Sequence, residues 1–154
     1  MSPPQILINE PGDGAWIMQR VGGVFNETTD QSIAVHRGGV IRGGVVYTGF
    51  IHASIMVHMA GSEDNWATRD FLWMVFDYAF NQLGVRKLIG LVASSNTRAI
   101  SVDLRLGFRL EGRLTDCLPD PNDDLLILTM LKRDCRWLNV VPKHYRSNSI
   151  RWVA

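Results

Sequence analysis

The sequence predicts an α/β domain: a mixed, mostly antiparallel central sheet with a parallel, splayed pair in its middle and helices on its flanks. Three observations carry this. Residues 31–61 read as three consecutive strands joined by short turns, which pair antiparallel as a meander. A long apolar stretch of helical spacing then separates the third of them from a strand at 87–93; a strand, a crossover helix and a second strand form a parallel unit. Finally, alternating runs at 108–118 and 125–131 flank a Pro-Asp-Pro-Asn-Asp turn and close the chain as an antiparallel hairpin. Where the pairing changes, neighbouring strands can part and leave a crevice at their carboxyl ends, a place that ligands favour.

Taken in order, 5–9 is a short strand and 12–21 a helix or turn in which Trp16, Ile17 and Val21 share a face. The run SIAVHR leads to a turn at Gly38 and Gly39, then VIRGGVVYTGFIH, then SIMVHM ending at Gly61. Residues 65–83 are too long and too evenly apolar for a strand, and Gly84 is a natural stop. The aromatic residues Trp66, Trp73, Phe76, Tyr78 and Phe80 stand at helical spacing there, which marks them as core. After the strand KLIGLVA, Asn96 is a good N-cap and Gly107 a good C-cap for a short helix. Ala99, Ile100, Val102, Leu104 and Leu106 share its apolar arc, and Thr97, Arg98, Ser101 and Arg105 the other. Asp103 lies in the apolar arc. A carboxylate there needs a partner, such as Arg37, Arg42 or Arg109, or a purpose.

The chain has 154 residues, 46% of them hydrophobic and 20% charged, which suits one domain with a real core. Its formal net charge is +1, which argues against nucleic acid or a membrane surface as partner. Thirteen of the sixteen basic residues are arginine, a residue suited to fixed, directional contacts. Cys117 and Cys135 stand in no metal-ligand or redox spacing, and neither a signal sequence nor a membrane span is expected. No metal site is expected. The domain spans 1–131. Residues 132–154 follow it as a basic arm interleaved with Trp137, Tyr145 and Trp152, read as packing on the domain itself or on a second copy in a homodimer.

The stretch N-T-R-A-I-S-V-D-L-R-L-G-F-R-L-E-G (96–112), preceded by a buried strand and followed by a hairpin ending LLILTML, resembles the GCN5-related N-acetyltransferase superfamily. It looks closest to the branch that acetylates protein α-amino groups, including ribosomal-protein acetyltransferases, and to short stand-alone members carried by tailed bacteriophages. The resemblance covers about 30–131. It implies transfer of acetyl from acetyl-CoA to a primary amine, that of a protein or peptide, in the cytoplasm (the host's, for a phage protein). It also implies that Val57, His58 and Met59 pair with the pantetheine arm. The pyrophosphate would meet the helix start at Asn65, Trp66, Ala67, Thr68 and Arg69, where free amides and the helix dipole favour an anion. Asn96 matches the family asparagine that hydrogen-bonds near the thioester or pantetheine.

Two departures from the family pattern stand out. The phosphate loop reads Gly61-Ser62-Glu63-Asp64-Asn65-Trp66, without the family's glycine at the helix start. The tyrosine that many relatives place four residues before the glycine of L-G-F is Asp103 here. A general acid at Asp103 therefore requires burial to raise its pKa from about 3.9. His58, and less so His52, offers a near-neutral base, and Ser101, Ser94 and Ser95 offer proton relays. The alternative is a fold that has lost the chemistry and serves as a binding or assembly module.

Overall fold

The computed structural model describes residues 3–62 and 65–143. Seven strands form one sheet: β1 (Gln5–Ile8), β2 (Gln31–Arg37), β3 (Val40–Ile51), β4 (Ser54–Gly61), β5 (Lys87–Ala93), β6 (Arg109–Leu114) and β7 (Leu125–Leu131). Their spatial order is β1-β2-β3-β4-β5-β7-β6. Every neighbouring pair is antiparallel except β4 and β5. The helices are α1 (Asp13–Arg20), α2 (Arg69–Asp77), which continues into a π-helical turn at Tyr78–Gln82, and α3 (Thr97–Leu106).

Side-chain alternation along the strands builds two apolar layers. One holds Ile33, Val45, Tyr47, Ile55 and Leu88 together with Phe71, Val75 and Phe76 of α2 and Leu106 at the end of α3. The other joins Ala34 and Val46 to Ile17 and Met18 of α1. α2 and α3 thus lie on one face and α1 on the other. Tyr47, Phe71, Phe76 and Phe80 are fully buried, each contributing about 2–3 kcal/mol of apolar transfer, and the Tyr47 hydroxyl donates to the Val75 carbonyl.

The second helix starts at Arg69, four residues later than its apolar pattern suggests. Trp66 packs instead on the sheet: a Cβ at either Gly43 or Gly61 would overlap its indole, and its ring meets Phe71 edge-on at 5.2 Å. Thr68 then caps the helix, accepting from the Phe71 amide at 3.1 Å. The predicted last-but-one strand, 108–118, is shorter in the structure, Arg109–Leu114, and carries an irregularity between Leu110 and Gly112.

Beyond β7 two 3-10 turns, Lys132–Asp134 and Arg136–Asn139, fold back on the domain. Trp137 stacks on Phe76 at 6.3 Å and donates to the Leu106 carbonyl at 2.8 Å. The Arg136 guanidinium donates to the carbonyls of Leu106 and Arg105, so a cation meets the negative end of α3. The remainder of the arm, with Tyr145 and Trp152, and the acidic pair Glu63 and Asp64 lie outside the described residues, as does the self-association expected of that arm. No helix among the described residues is long and apolar enough to cross a membrane.

Candidate active site

The parallel ladder is short. Ser54, Ile55 and Met56 pair with Lys87, Leu88 and Ile89, and the pairing ends there. β4 nevertheless continues against β3 as far as Gly61, and β5 against β7 as far as Ala93. From Val57 and Gly90 onward each strand has one satisfied edge and one that faces the gap. Backbone groups along such an edge need partners, so the splay is a ready acceptor for an extended, amide-bearing chain. Val57, His58 and Met59 are the first three residues of the β4 edge. The side chains of Val57 and Met59 pack toward the main core, and His58, alternate to them, faces the α1 side.

The β5–α3–β6 crossover makes α3 run antiparallel to β5. Asp103, seven residues past the cap, lies about 10 Å back along the helix axis, the length of about three strand residues. Asp103 is half-buried, and its carboxyl has no hydrogen bond or ion pair among the described residues; the arginine partners that the sequence offered do not reach it. Burial alone pushes its pKa up to about 6. With no cation beside it to oppose the rise, the carboxyl holds a proton more readily than an ordinary aspartate does.

Asn96 caps α3, its Oδ1 accepting from the Ala99 amide at 3.2 Å. The side chain is exposed, and its amide nitrogen is the donor that the cap leaves over. Gly107 ends the helix at φ 113°, a conformation natural to glycine. Ser101, two residues from Asp103, is turned about 200° around the helix and lies on the exposed flank, where it accepts from Arg105 at 3.2 Å. It borders a shallow depression of about 460 Å³ with Thr97, Ile100, Leu104 and Arg105. The structure therefore does not bring the Ser101 hydroxyl into contact with Asp103. Ser94 and Ser95 are likewise engaged: both hydroxyls donate to Asp123 at 2.7 Å.

On the phosphate side, Asn65, Trp66 and Ala67 precede the helix, Thr68 is its cap and Arg69 its first residue, with an exposed side chain. The Phe71 amide is taken by Thr68. The residues of the helix head that could meet an anion thus begin at Thr68 and Arg69, while Trp66 lies on the glycine surface of Gly43 and Gly61.

On the α1 face, His58 Nε2 lies 2.8 Å from Thr48 Oγ1. Burial pushes the His58 pKa below its usual 6.5, and the Asp30 carboxylate partly opposes this. The imidazole is therefore neutral at physiological pH. His52 does not join it: it sits in the β3–β4 turn at φ 51°, exposed, so the strand does not run unbroken between the two histidines. Sequence reasoning missed Thr48, Asp30 and Asp123, since their contacts bridge separate strands and loops with no local spacing to reveal them. It also missed His36, whose Nε2 lies 2.7 Å from Asp13 Oδ2 beneath α1. Among the described residues no cluster of three or more His, Cys, Asp or Glu could hold a metal ion.

Residues 21–124 match a family model described as an acetyltransferase (GNAT) domain. No curated protein matches the chain by sequence. Among solved structures, a spermidine N-acetyltransferase mutant from Vibrio cholerae is similar with a TM-score of 0.69 at 17% identity, over 89% of this chain and 97% of that one. A dodecameric form of the Vibrio cholerae spermidine N-acetyltransferase gives 0.67 at 18%, over 90% and 98%. A GNAT-family acetyltransferase from Bacillus anthracis gives 0.59 at 16%, over 86% and 98%. At these identities the likeness is one of fold.

Proposed function

Because the chain belongs to the acetyltransferase (GNAT) domain family, we propose that it transfers the acetyl group of acetyl-CoA directly to a primary amine. The observation that carries this reading is the splay: a parallel pair that ends at Met56 and Ile89 while both strands continue. Its open β4 edge at Val57, His58 and Met59 suits the amides of a pantetheine arm. Thr68 and Arg69 at the head of α2 suit the pyrophosphate, the helix dipole and a guanidinium acting together. Asn96 has an amide donor left over for the thioester region.

The roles of the titratable groups follow from their environments. The attacking amine must lose a proton; neutral His58, through water, is the acceptor we assign. As the new C–N bond forms and the C–S bond breaks, the departing thiolate takes a proton from the Asp103 carboxyl. Each proton lost by the amine is thus balanced by one delivered to sulfur. The free thiols Cys117 and Cys135 accord with the reducing cytoplasm, where we place the protein.

For the acceptor we propose a primary amine carried either by a polyamine, as the names of the Vibrio cholerae relatives indicate for those proteins, or by a peptide α-amino group. Calorimetric titration with acetyl-CoA, followed by thiol release with spermidine and with short peptides as acceptors, tests the reading. Saturable binding and acceptor-dependent thiol release are expected. No binding up to about 1 mM acetyl-CoA would overturn it, and binding without transfer to any amine would mark a fold kept as a binding module.

A further inference from the structure

The loop between β5 and α3, residues 94–96, borders the splay and presents Asn96. It is held from across the sheet by the loop before β7. Asp123 uses both carboxylate oxygens: Oδ1 accepts from the Ser94 hydroxyl at 2.7 Å and the Ser95 amide at 3.0 Å, and Oδ2 accepts from the Ser95 hydroxyl at 2.7 Å. The neighbouring backbone closes the stitch. The Asp124 amide donates to Ser94 Oγ at 3.0 Å, and the Ser94 amide donates to the Asp124 carbonyl at 2.7 Å. The Asp123 loop is itself braced, since the Asn122 amide donates to Asp120 Oδ1 and the Asp123 amide to the Asp120 carbonyl. The donated bonds, that of Ser95 first, hold the Asp123 carboxyl below the usual aspartate range.

A surface carboxylate that makes three hydrogen bonds to two adjacent residues fixes the path of those residues and of the next one. Here the next one is Asn96, whose Oδ1 is already bound to Ala99 and whose amide nitrogen has its direction set by where the loop delivers the side chain. We propose that Asp123 is a positioning residue for the acyl donor: it acts through Asn96, holding the β5–α3 loop so that the Asn96 amide meets the pantetheine–thioester region. The proposal rests on the acetyl-CoA reading above. It gives the Pro-Asp-Pro-Asn-Asp turn, which otherwise only connects two strands, a part in donor recognition.

The test uses the full chain with acetyl-CoA as the titrant. Asp123→Ala is expected to weaken acetyl-CoA binding about tenfold, the scale of one well-placed hydrogen bond, while kcat at saturating acetyl-CoA changes less than about threefold. Asp123→Asn keeps an oxygen able to accept two of the three bonds and should recover most of the affinity. Asn96→Ala combined with Asp123→Ala should bind no worse than Asn96→Ala alone, because both remove one contact. In the absence of donor, amide exchange at Ala99 should quicken in Asp123→Ala, since its partner Asn96 Oδ1 is no longer held. If Asp123→Ala fails to fold, Ser95→Ala loosens the same stitch from the other side with the same expected loss. Undiminished affinity in these variants, or losses that add to that of Asn96→Ala, would overturn the proposal while leaving the functional reading intact. Failure of the wild type to bind acetyl-CoA would overturn both.

Discussion

Replacing Asp103 by asparagine separates two consequences of the same burial. A carboxyl whose pKa rises from 3.8 to about 6 on folding makes its ionised form unfavourable by about 3 kcal/mol at most. The side chain is only half-buried, so solvent screening reduces this to roughly 1–2 kcal/mol. Above pH 6 the native protein carries that cost and Asp103→Asn, nearly isosteric and uncharged, does not. The variant should therefore be more stable by roughly 1–2 kcal/mol at pH 8, a rise in Tm of about 3–6 °C for a chain of this size. The sign with pH is fixed. A raised folded-state pKa means that the native state binds the proton more tightly between about pH 4 and 6, so the group's contribution is fully present below that window and is lost as pH rises through it. The advantage of Asp103→Asn should accordingly vanish below about pH 4. Turnover should move the other way, falling about a hundredfold if the carboxyl delivers the proton to sulfur. Urea denaturation across pH and thiol-release kinetics are the two measurements. A destabilised variant, or a gain in stability independent of pH, would refute the argument that an unpaired, desolvated carboxylate sits there; undiminished turnover would remove the acid role alone.

Asn96→Asp retains an oxygen for the Ala99 amide and is as good an N-cap, yet it has no amide donor, so melting should be unchanged while acetyl-CoA affinity falls. His58→Gln should remove the acidic limb of the kcat/KM profile that lies below pH 6.5 in the wild type, and stability from His58, present above 6.5, should decline as pH falls, more weakly in the variant. Gly61→Ala should cost about 2–3 kcal/mol in urea denaturation, because the added methyl group meets the Trp66 indole. Trp137→Ala should cost a similar amount, about 2–3 kcal/mol, through loss of the stack on Phe76 and of the bond to Leu106.

How far the sequence could be read depended on whether the deciding contacts were local. The strands at 87–93 and 125–131 have the predicted bounds, since uninterrupted apolar runs between turn residues leave little choice. The cap at Asn96 and the stop at Gly107 were equally legible, because capping is a property of a few adjacent residues. The start of α2 was not. An apolar pattern beginning at Asn65 does suggest a helix, but Trp66 gains more by lying across Gly43 and Gly61, two positions 18 residues apart whose missing side chains are visible only once β3 and β4 are paired. The same reason hid the grip of Asp123 on Ser94 and Ser95 and the contact of Thr48 with His58. Asp103 was legible as an anomaly in an apolar arc; that no arginine answers it required the fold.

The three rungs from Ser54 to Met56 are also a seam between two unequal panels, one of four strands and one of three. The β2–β3–β4 and β6–β7 ladders join neighbours close in sequence, whereas the seam pairs residues 33 apart, Ser54 with Lys87 among them. Contacts of that separation form late and at an entropic cost that only three rungs repay. A donor molecule lying along the open β4 edge would add rungs where the chain supplies none and brace the two panels together. Binding would then be felt as mechanical coupling across the whole sheet, with the amides of Ile55 and Leu88, on either side of the seam, slowing their exchange as the crevice fills.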